Sequence, residues 1–212
     1  MVSDLAGRLI HQDPWLAAFD KPAGLLCQPG LGPDLADSLL SRVQRQWPEW
    51  RLVHRLDRDT SGLLLMATNA AMHRQLSALF AQRQIRKAYL AEVAGHLRGS
   101  GGRLESCLAR TGTRPPRYGS VAAGKIAITR WRLLALDVDG AGRPLSRVLL
   151  APRTGRSHQL RVQMAELGHP LLGDPLYGDG NSAPGLRLHA LGLGFCHPAT
   201  GQGLRLRCLP SW

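Results

Sequence analysis

Residues 51–69 read RLVHRLDRDTSGLLLMATN, a polar turn set between two apolar runs. Leu63, Leu64, Leu65 and Met66 form a short continuous apolar run, with Ser61-Gly62 before it and Asn69 after it, which predicts a buried strand. Such a strand is a rigid mount for the residues just ahead of it. Those are His54, Arg55, Asp57, Arg58 and Asp59, on a loop whose ends the strands hold, and loops held this way often carry function. A carboxylate between Arg55 and Arg58 is favoured in its ionised form by the neighbouring positive charge, which suits Asp57 to act as a nucleophile at neutral pH. The same residue types serve a structural purpose equally well, since Asp57 and Asp59 can be turn formers or caps that bind local backbone amides.

On the N-terminal side, residues 16–19 predict a strand that ends in the turn Asp20-Lys21-Pro22-Ala23-Gly24, followed by an apolar stub at 25–27. Asp34 then opens a helical segment in which Leu35, Leu39 and Val43 recur at i, i+4 and i+8. Trp47 and Trp50 are read as core packing. Beyond the central strand, Asn69 is a helix cap, with Met72, Leu76, Leu79 and Phe80 on one helical face. Residues 85–95 alternate as a strand that puts Lys87, Tyr89, Ala91 and Val93 on one side, and pattern alone makes Tyr89 a core residue.

Residues 99–125 are rich in Gly, Pro and Arg, including Arg110, Arg114 and Arg117, with little periodicity. They read either as an irregular hairpin or loop facing nucleic acid or as a solvated basic loop. Segments 126–138 and 145–150 flank Asp139-Gly140-Ala141-Gly142, a hairpin signal, so the sheet is expected to be largely antiparallel. In 153–168, RTGRSHQLRVQMAELG, Ser157 is expected to cap a helix with Leu160, Met164 and Leu167 on its buried side and Gly168 as its stop. Arg161 then projects elsewhere. A last strand pair is expected at 186–196 and 204–208.

Twenty-seven Lys and Arg against fifteen Asp and Glu give a formal charge of +12, which points to a polyanionic partner. Only Lys21, Lys87 and Lys125 are lysines, so a general arginine bias contributes, but the excess remains. The chain length suits one catalytic domain spanning 1–212. Cys27, Cys107, Cys196 and Cys208 are widely spaced with no C-x-x-C pair, so neither a zinc site nor a secreted disulfide framework is indicated. The first fifteen residues lack the apolar core of a signal peptide, and no apolar run reaches membrane-spanning length. A cytoplasmic, membrane-free protein is expected, monomeric and without an obligate protein partner.

HRLDRDTSGLLLMA (54–67) resembles the HRLD-x-x-TSG signature of RluA-type pseudouridine synthases, in the RluA/RsuA superfamily. Further stretches match the same family. Lys21-Pro22-Ala23-Gly24 resembles its Lys-Pro-x-Gly turn, Lys87-x-Tyr89-x-Ala91 its Lys-x-Tyr-x-Ala segment, and 154–161 its TGR-x-HQLR segment. Gly168-His169-Pro170, Gly173-Asp174-x-x-Tyr177-Gly178, the LHA around His189 and the HP-x-x-G from His197 to Gly201 match its turns and are read as scaffold. The family continuation Arg-Val-His is Arg161-Val162-Gln163 here.

The resemblance implies an α+β pseudouridine synthase fold: a mixed, largely antiparallel sheet with flanking helices and loops, and a catalytic cleft across the sheet. It also implies isomerisation of uridine within RNA, with no cofactor and no metal. Asp57 is then the catalytic carboxylate, Arg161 its charge partner, and Tyr89 the residue that stacks on the target base and assists proton transfer. Arg55 fills the gap left by a flipped base, while Arg58, Lys21, Lys87, Arg114, Arg117 and Arg156 are expected to meet RNA. The compact form resembles members without an N-terminal S4 domain, whose substrates are a stem-loop of 23S large-subunit rRNA and the anticodon stem-loop of certain tRNAs. Two rivals remain at this point: a nucleoside hydrolase using Asp57 and Asp59 as paired carboxylates, and a non-catalytic RNA-binding or ribosome-assembly factor.

Overall fold

Residues 8–212 are described in this computed structural model; the expectation about a leader falls partly on residues 1–7, outside them. In chain order the strands are β1 (Leu9–Gln12), β2 (Leu16–Lys21), β3 (Arg51–Leu52), β4 (Ser61–Ala67), β5 (Arg86–Ala94), β6 (Gly101–Thr113), β7 (Pro116–Ser120), β8 (Lys125–Val138), β9 (Pro144–Pro152), β10 (Leu188–Cys196) and β11 (Gly203–Arg207). The helices are α1 (Leu39–Gln44), α2 (Ala70–Ala81) and α3 (Gln159–Glu166). The chain forms two compact units, Met1–Arg86 with His189–Trp212, and Lys87–Leu188. The class is α+β, as expected. No helix among the described residues is long and apolar enough to cross a membrane.

The first unit is built around β4, whose residues Leu63, Leu64, Leu65, Met66 and Ala67 are all fully buried. Burial on both faces is why this strand reads as a continuous apolar run rather than an alternating one. β2 pairs with it antiparallel, from Leu16 opposite Ala67 to Lys21 opposite Gly62. β10 pairs with it in parallel, His189 opposite Ser61 and Ala190 opposite Gly62. Gly62 has φ of +104°, and a Cβ there would lie 2.5 Å from the Ala190 carbonyl oxygen, so only glycine fits this crossing.

The helix expected from Asp34 is split in two. Pro33–Leu35 forms a single 3-10 turn with Leu35 at the surface, and α1 starts only after Ser38. A capping box sets that start: Ser38 Oγ accepts from the Ser41 amide and Ser41 Oγ accepts from the Ser38 amide. The i, i+4, i+8 pattern therefore starts too early, its first position Leu35 lying outside the helix, although Leu39 and Val43 are buried as expected. The Asn69 cap is as expected, its Oδ1 accepting from the Met72 amide at 2.9 Å, with Met72 and Leu76 buried beneath α2. Trp50 is buried and Trp47 stacks on it, ring centroids 4.5 Å apart.

In the second unit the strand order is β5-β9-β8-β6-β7, with neighbours antiparallel. Ala91, Val93, Val148, Leu150, Leu160 and Met164 pack a core, with Tyr89 partly buried against it. The stretch 99–125 is more regular than its composition suggests, since β6 and β7 form a long hairpin turning at 113–116. Much of β6 is exposed on both faces, so no alternation of apolar residues reveals it. The 139–142 turn is as read: Asp139 Oδ1 accepts from the Ala141 and Arg143 amides, and Gly142 takes φ of +76°.

α3 departs from its expected form in two ways. Its N-terminal boundary residue is His158, left-handed at φ 54°, and it has no side-chain cap; Ser157 lies outside the helix. Leu167 is exposed, whereas Gln159 to Met164 are all buried, Arg161 included. A helix buried all round for its first six residues has no polar face to project an arginine from, so Arg161 requires an internal partner. Gln163 is equally internal. Its amide nitrogen donates to Ser106 Oγ and the Ala127 carbonyl, and its Oε1 accepts from Thr129 Oγ1 at 2.6 Å, which ties the helix to the sheet.

Candidate active site

In the first unit the loop 54–60 is held from below at the residues on either side of Asp57. The buried thiol of Cys27 lies 3.2 Å from both the amide and the carbonyl of Leu56. On the other side, the carbonyl of Arg58 accepts from Lys21 Nζ at 2.8 Å and from the Gly24 amide at 2.9 Å. Lys21 Nζ also donates to the carbonyls of Pro22 and Leu25 at 2.8 Å. Lys21 is wholly buried and its three donors are all engaged, so the phosphate contact expected of it gives way to a clamp between the Lys-Pro-Ala-Gly turn and the loop. Burial pushes the Lys21 ammonium down to about 8, against the opposing pull of Cys27, Asp59, Asp57 and Asp20. Burial likewise pushes the Cys27 thiol up, which keeps it protonated as a donor to Leu56.

The loop's upper side is open. Asp57 is half-buried, Arg55 and Arg58 are exposed, and Arg58 Nε pairs with Asp59 at 3.2 Å. His54 turns inward instead, its Nε2 accepting from the Leu65 amide at 3.0 Å while its ring stacks on Phe80 at 4.6 Å. Adjacent residues thus differ: Leu56 and His54 anchor the loop, whereas Arg55 is exposed.

Asp20, His189 and Cys208 bring potential ligand atoms within 4.8 Å of one another in this unit. His189 Nε2 faces the Cys208 carbonyl at 3.1 Å and must donate to it, which leaves Nδ1 to accept from Ser61 Oγ at 2.8 Å. Burial holds His189 neutral, and burial beside Asp20 pushes the Cys208 thiol up to about 12. The donor set is committed to hydrogen bonds that fasten Ser61, at the end of the loop, to β10 and the C-terminal segment.

In the second unit Arg161 is almost entirely buried and forms a two-pronged pair with Asp174, Nε to Oδ2 at 2.8 Å and Nη2 to Oδ1 at 2.7 Å. Asp174 also accepts from the amides of Leu176 and Tyr177, and the Arg161 guanidinium lies over the Tyr177 ring at 5.2 Å. Burial by itself raises the Asp174 carboxyl, and the Arg161 bonds outweigh it, holding the group below its ordinary range. The residue read as a scaffold turn is therefore what fixes Arg161. The sequence carries only an indirect signal of this, in that a buried arginine in an all-round buried helix demands a carboxylate.

Nearby, Tyr177 Oη accepts from the Tyr118 amide and lies 2.8 Å from His158 Nδ1, while Ser120 donates through its amide and hydroxyl to Glu166. These bonds dock the β6–β7 hairpin on α3. Gln159 Oε1 accepts from Thr154 Oγ1 and the Arg156 amide, shaping the 154–156 loop, and Lys87 Nζ donates to the Thr154 carbonyl at 2.9 Å. Arg114 and Arg117 are exposed near the hairpin turn.

A sequence profile described as RNA pseudouridylate synthase matches residues 16–166, which include the loop around Asp57, Tyr89 and the helix carrying Arg161. The chain belongs to the RNA pseudouridylate synthase family. Relatives named dual-specificity RNA pseudouridine synthase RluA are 38% identical in Yersinia pestis, over 94% of this chain and 97% of the relative, and 37% identical in Escherichia coli K12, over 94% and 91%. Among solved structures, human RNA pseudouridylate synthase domain containing 1 aligns with a TM-score of 0.84 at 29% identity, covering 99% of this chain and 85% of the other. Its domain containing 4 counterpart aligns at 0.77 and 26%, covering 99% and 91%. As a pseudouridylate synthase the chain is an RNA-modifying isomerase.

Proposed function

We propose that Asp57 is the catalytic carboxylate of an enzyme that converts selected uridines of structured RNA to pseudouridine, both units acting as one catalytic domain. The observation that supports the assignment is the double clamp on Leu56 and Arg58, which fixes the backbone on both sides of the half-buried Asp57. In the reaction the N1–C1′ bond breaks, a C5–C1′ bond forms, the C5 proton leaves and N1 gains a proton. Asp57 supplies the electron pair, by attack on C1′ or the ring or by removing a ribose proton. Base flipping costs a few kcal/mol, and the exposed Arg55 is suited to take the vacated place in the stack. Tyr89, fixed on β5 against the core, is assigned to hold the freed uracil.

The TGR-x-HQLR resemblance supports Arg161 as the charge partner of Asp57, and the Asp174 pair supports a guanidinium held in one orientation. Arg58, Lys87, Arg114, Arg117 and Arg156 are assigned to RNA contact. The substrates we propose are a large-subunit rRNA stem-loop, a tRNA anticodon stem-loop or both, acted on by a cytoplasmic monomer; the dual specificity in the relatives' names supports more than one RNA. The test uses transcripts of both RNAs labelled with tritium at uracil C5. The wild-type chain should release tritium with RNA mass unchanged, and Asp57→Asn should bind RNA yet lower turnover by at least about a thousandfold, the scale of losing an essential nucleophile. Free uracil in the products would favour the hydrolase, and equal behaviour of both proteins would favour a binding factor.

A further inference from the structure

The second unit contains a recess in which Arg156, already assigned to RNA contact, stands beside residues that carry no assigned role. It has a volume of about 430 Å³ and lies between the start of β8, the β6–β7 hairpin and the 155–157 loop, with Arg110, Lys125, Arg156, Tyr118 and Gly155 on its walls. Its charge is one-sided. Among the described residues no carboxylate pairs with Arg110, Lys125 or Arg156, and none lines the recess. Two of the three cations are also oriented in advance. Arg110 donates from Nε to the Gly112 carbonyl and from Nη2 to the Thr113 carbonyl, and Arg156 donates from Nε to the Ile126 carbonyl.

Anchoring one edge of a guanidinium to backbone carbonyls removes rotamer freedom before any ligand arrives and leaves the planar group to meet an anion. The aromatic wall is equally fixed. Tyr118 packs beside Leu108, Ala127 and Val162, meets the His158 ring edge-on at 5.1 Å, and has its amide on Tyr177. A bare phosphate would leave most of this volume and the ring unused, whereas a nucleotide offers a flat base to Tyr118 and a phosphate to the three cations.

We propose that the recess is a second nucleotide subsite, which takes a base of the substrate RNA other than the target uridine against Tyr118 and its phosphate on Arg110, Lys125 and Arg156. The inference rests on the reading of the chain as an RNA-modifying enzyme. It makes the subsite a determinant of which stem-loop is accepted, because a base must reach it while the target uridine is in place.

The test compares two variants of the full chain with the same charge loss: Arg110→Gln/Lys125→Gln/Arg156→Gln in the recess, and Arg98→Gln/Arg130→Gln/Arg132→Gln at exposed positions away from it. Binding is read by fluorescence anisotropy on a labelled anticodon stem-loop and a labelled large-subunit rRNA stem-loop, both unmodified, at one ionic strength. The recess variant should bind the substrate RNA about tenfold or more weakly than the exposed-site variant, with KM raised in step and kcat within about twofold. Ethylation of one particular phosphate should interfere with binding by the wild type and not by the recess variant. If the recess triple fails to fold, Lys125→Gln alone, at an exposed position, should show the same interference loss.

Equal weakening of both triples on both RNAs would overturn the subsite and leave only long-range attraction. Unchanged RNA binding with competition by poly-glutamate would overturn it in favour of an acidic protein partner. Absence of tritium release by the wild type would instead sink the enzymatic reading, and the binding comparison would still judge the recess.

Discussion

Lys21 spends all three of its N–H groups on the carbonyls of Pro22, Leu25 and Arg58, which only the charged ammonium can satisfy together. With its proton lost near pH 8, one carbonyl goes without a donor and the loop carrying Asp57 loosens. Turnover should therefore fall above about pH 8, and a Lys21→Met variant should show low turnover without that limb in its pH–rate profile. The stability effect has the opposite sign. The native state sheds this proton near 8 and the unfolded chain near about 10.4, so between those values the unfolded state binds more protons and raising the pH favours the folded chain. Urea midpoints that fell in step with turnover would refute the clamp.

Asp174 acts in the acid direction. Its depressed carboxyl contributes stability that is present above the ordinary unfolded range of about 4 and is lost as the pH falls through and below that range. Asp174→Asn should cost about 3–5 kcal/mol in urea unfolding, because it strands a buried guanidinium, and it should flatten the acid limb of stability. A loss within about 0.5 kcal/mol, the scale of a surface change, would show that other groups hold Arg161.

At the scale of elements, the parallel pairing of β4 and β10 depends on Gly62. An alanine there would set a methyl group 2.5 Å from the Ala190 carbonyl oxygen at a φ of +104°. Gly62→Ala should lower stability by about 2 kcal/mol or more, combining backbone strain with displaced strand pairing. It should also disturb the Ser61–His189 bond, visible as a shifted His189 ring signal in NMR. An unchanged melt and ring signal would mean that the strands separate without cost. The β6–β7 hairpin illustrates the other side of element formation. Its residues show no amphipathic period, yet Tyr118 and Ser120 each find a partner on or beside α3, and those bonds rather than local propensity position its exposed arginines.

For the whole molecule, a formal charge of +12 should give RNA binding a steep dependence on salt. Neutralising Arg114 and Arg117 together should reduce the slope of log Kd against log salt by about 1.4, from about 0.7 counterion per phosphate contact on single strands. An unchanged slope would place the phosphate contacts elsewhere.

Much of the architecture is legible in the order of the residues alone. The apolar run at 63–66, the Asn69 cap and the Asp139 turn are local features, and local rules of burial, capping and turn geometry are enough to read them. The motifs around Asp57 and Arg161 mark the family for the same reason, since a family pattern is written in residue types and spacing. What the sequence does not show is which polar group meets which. Cys27 beneath Leu56, Lys21 beneath Arg58, and Asp174 against Arg161 join positions from 13 to 37 residues apart. No periodicity encodes such pairings. They were decided by the tertiary structure, because a buried donor or charge is tolerated only where the fold brings it a partner.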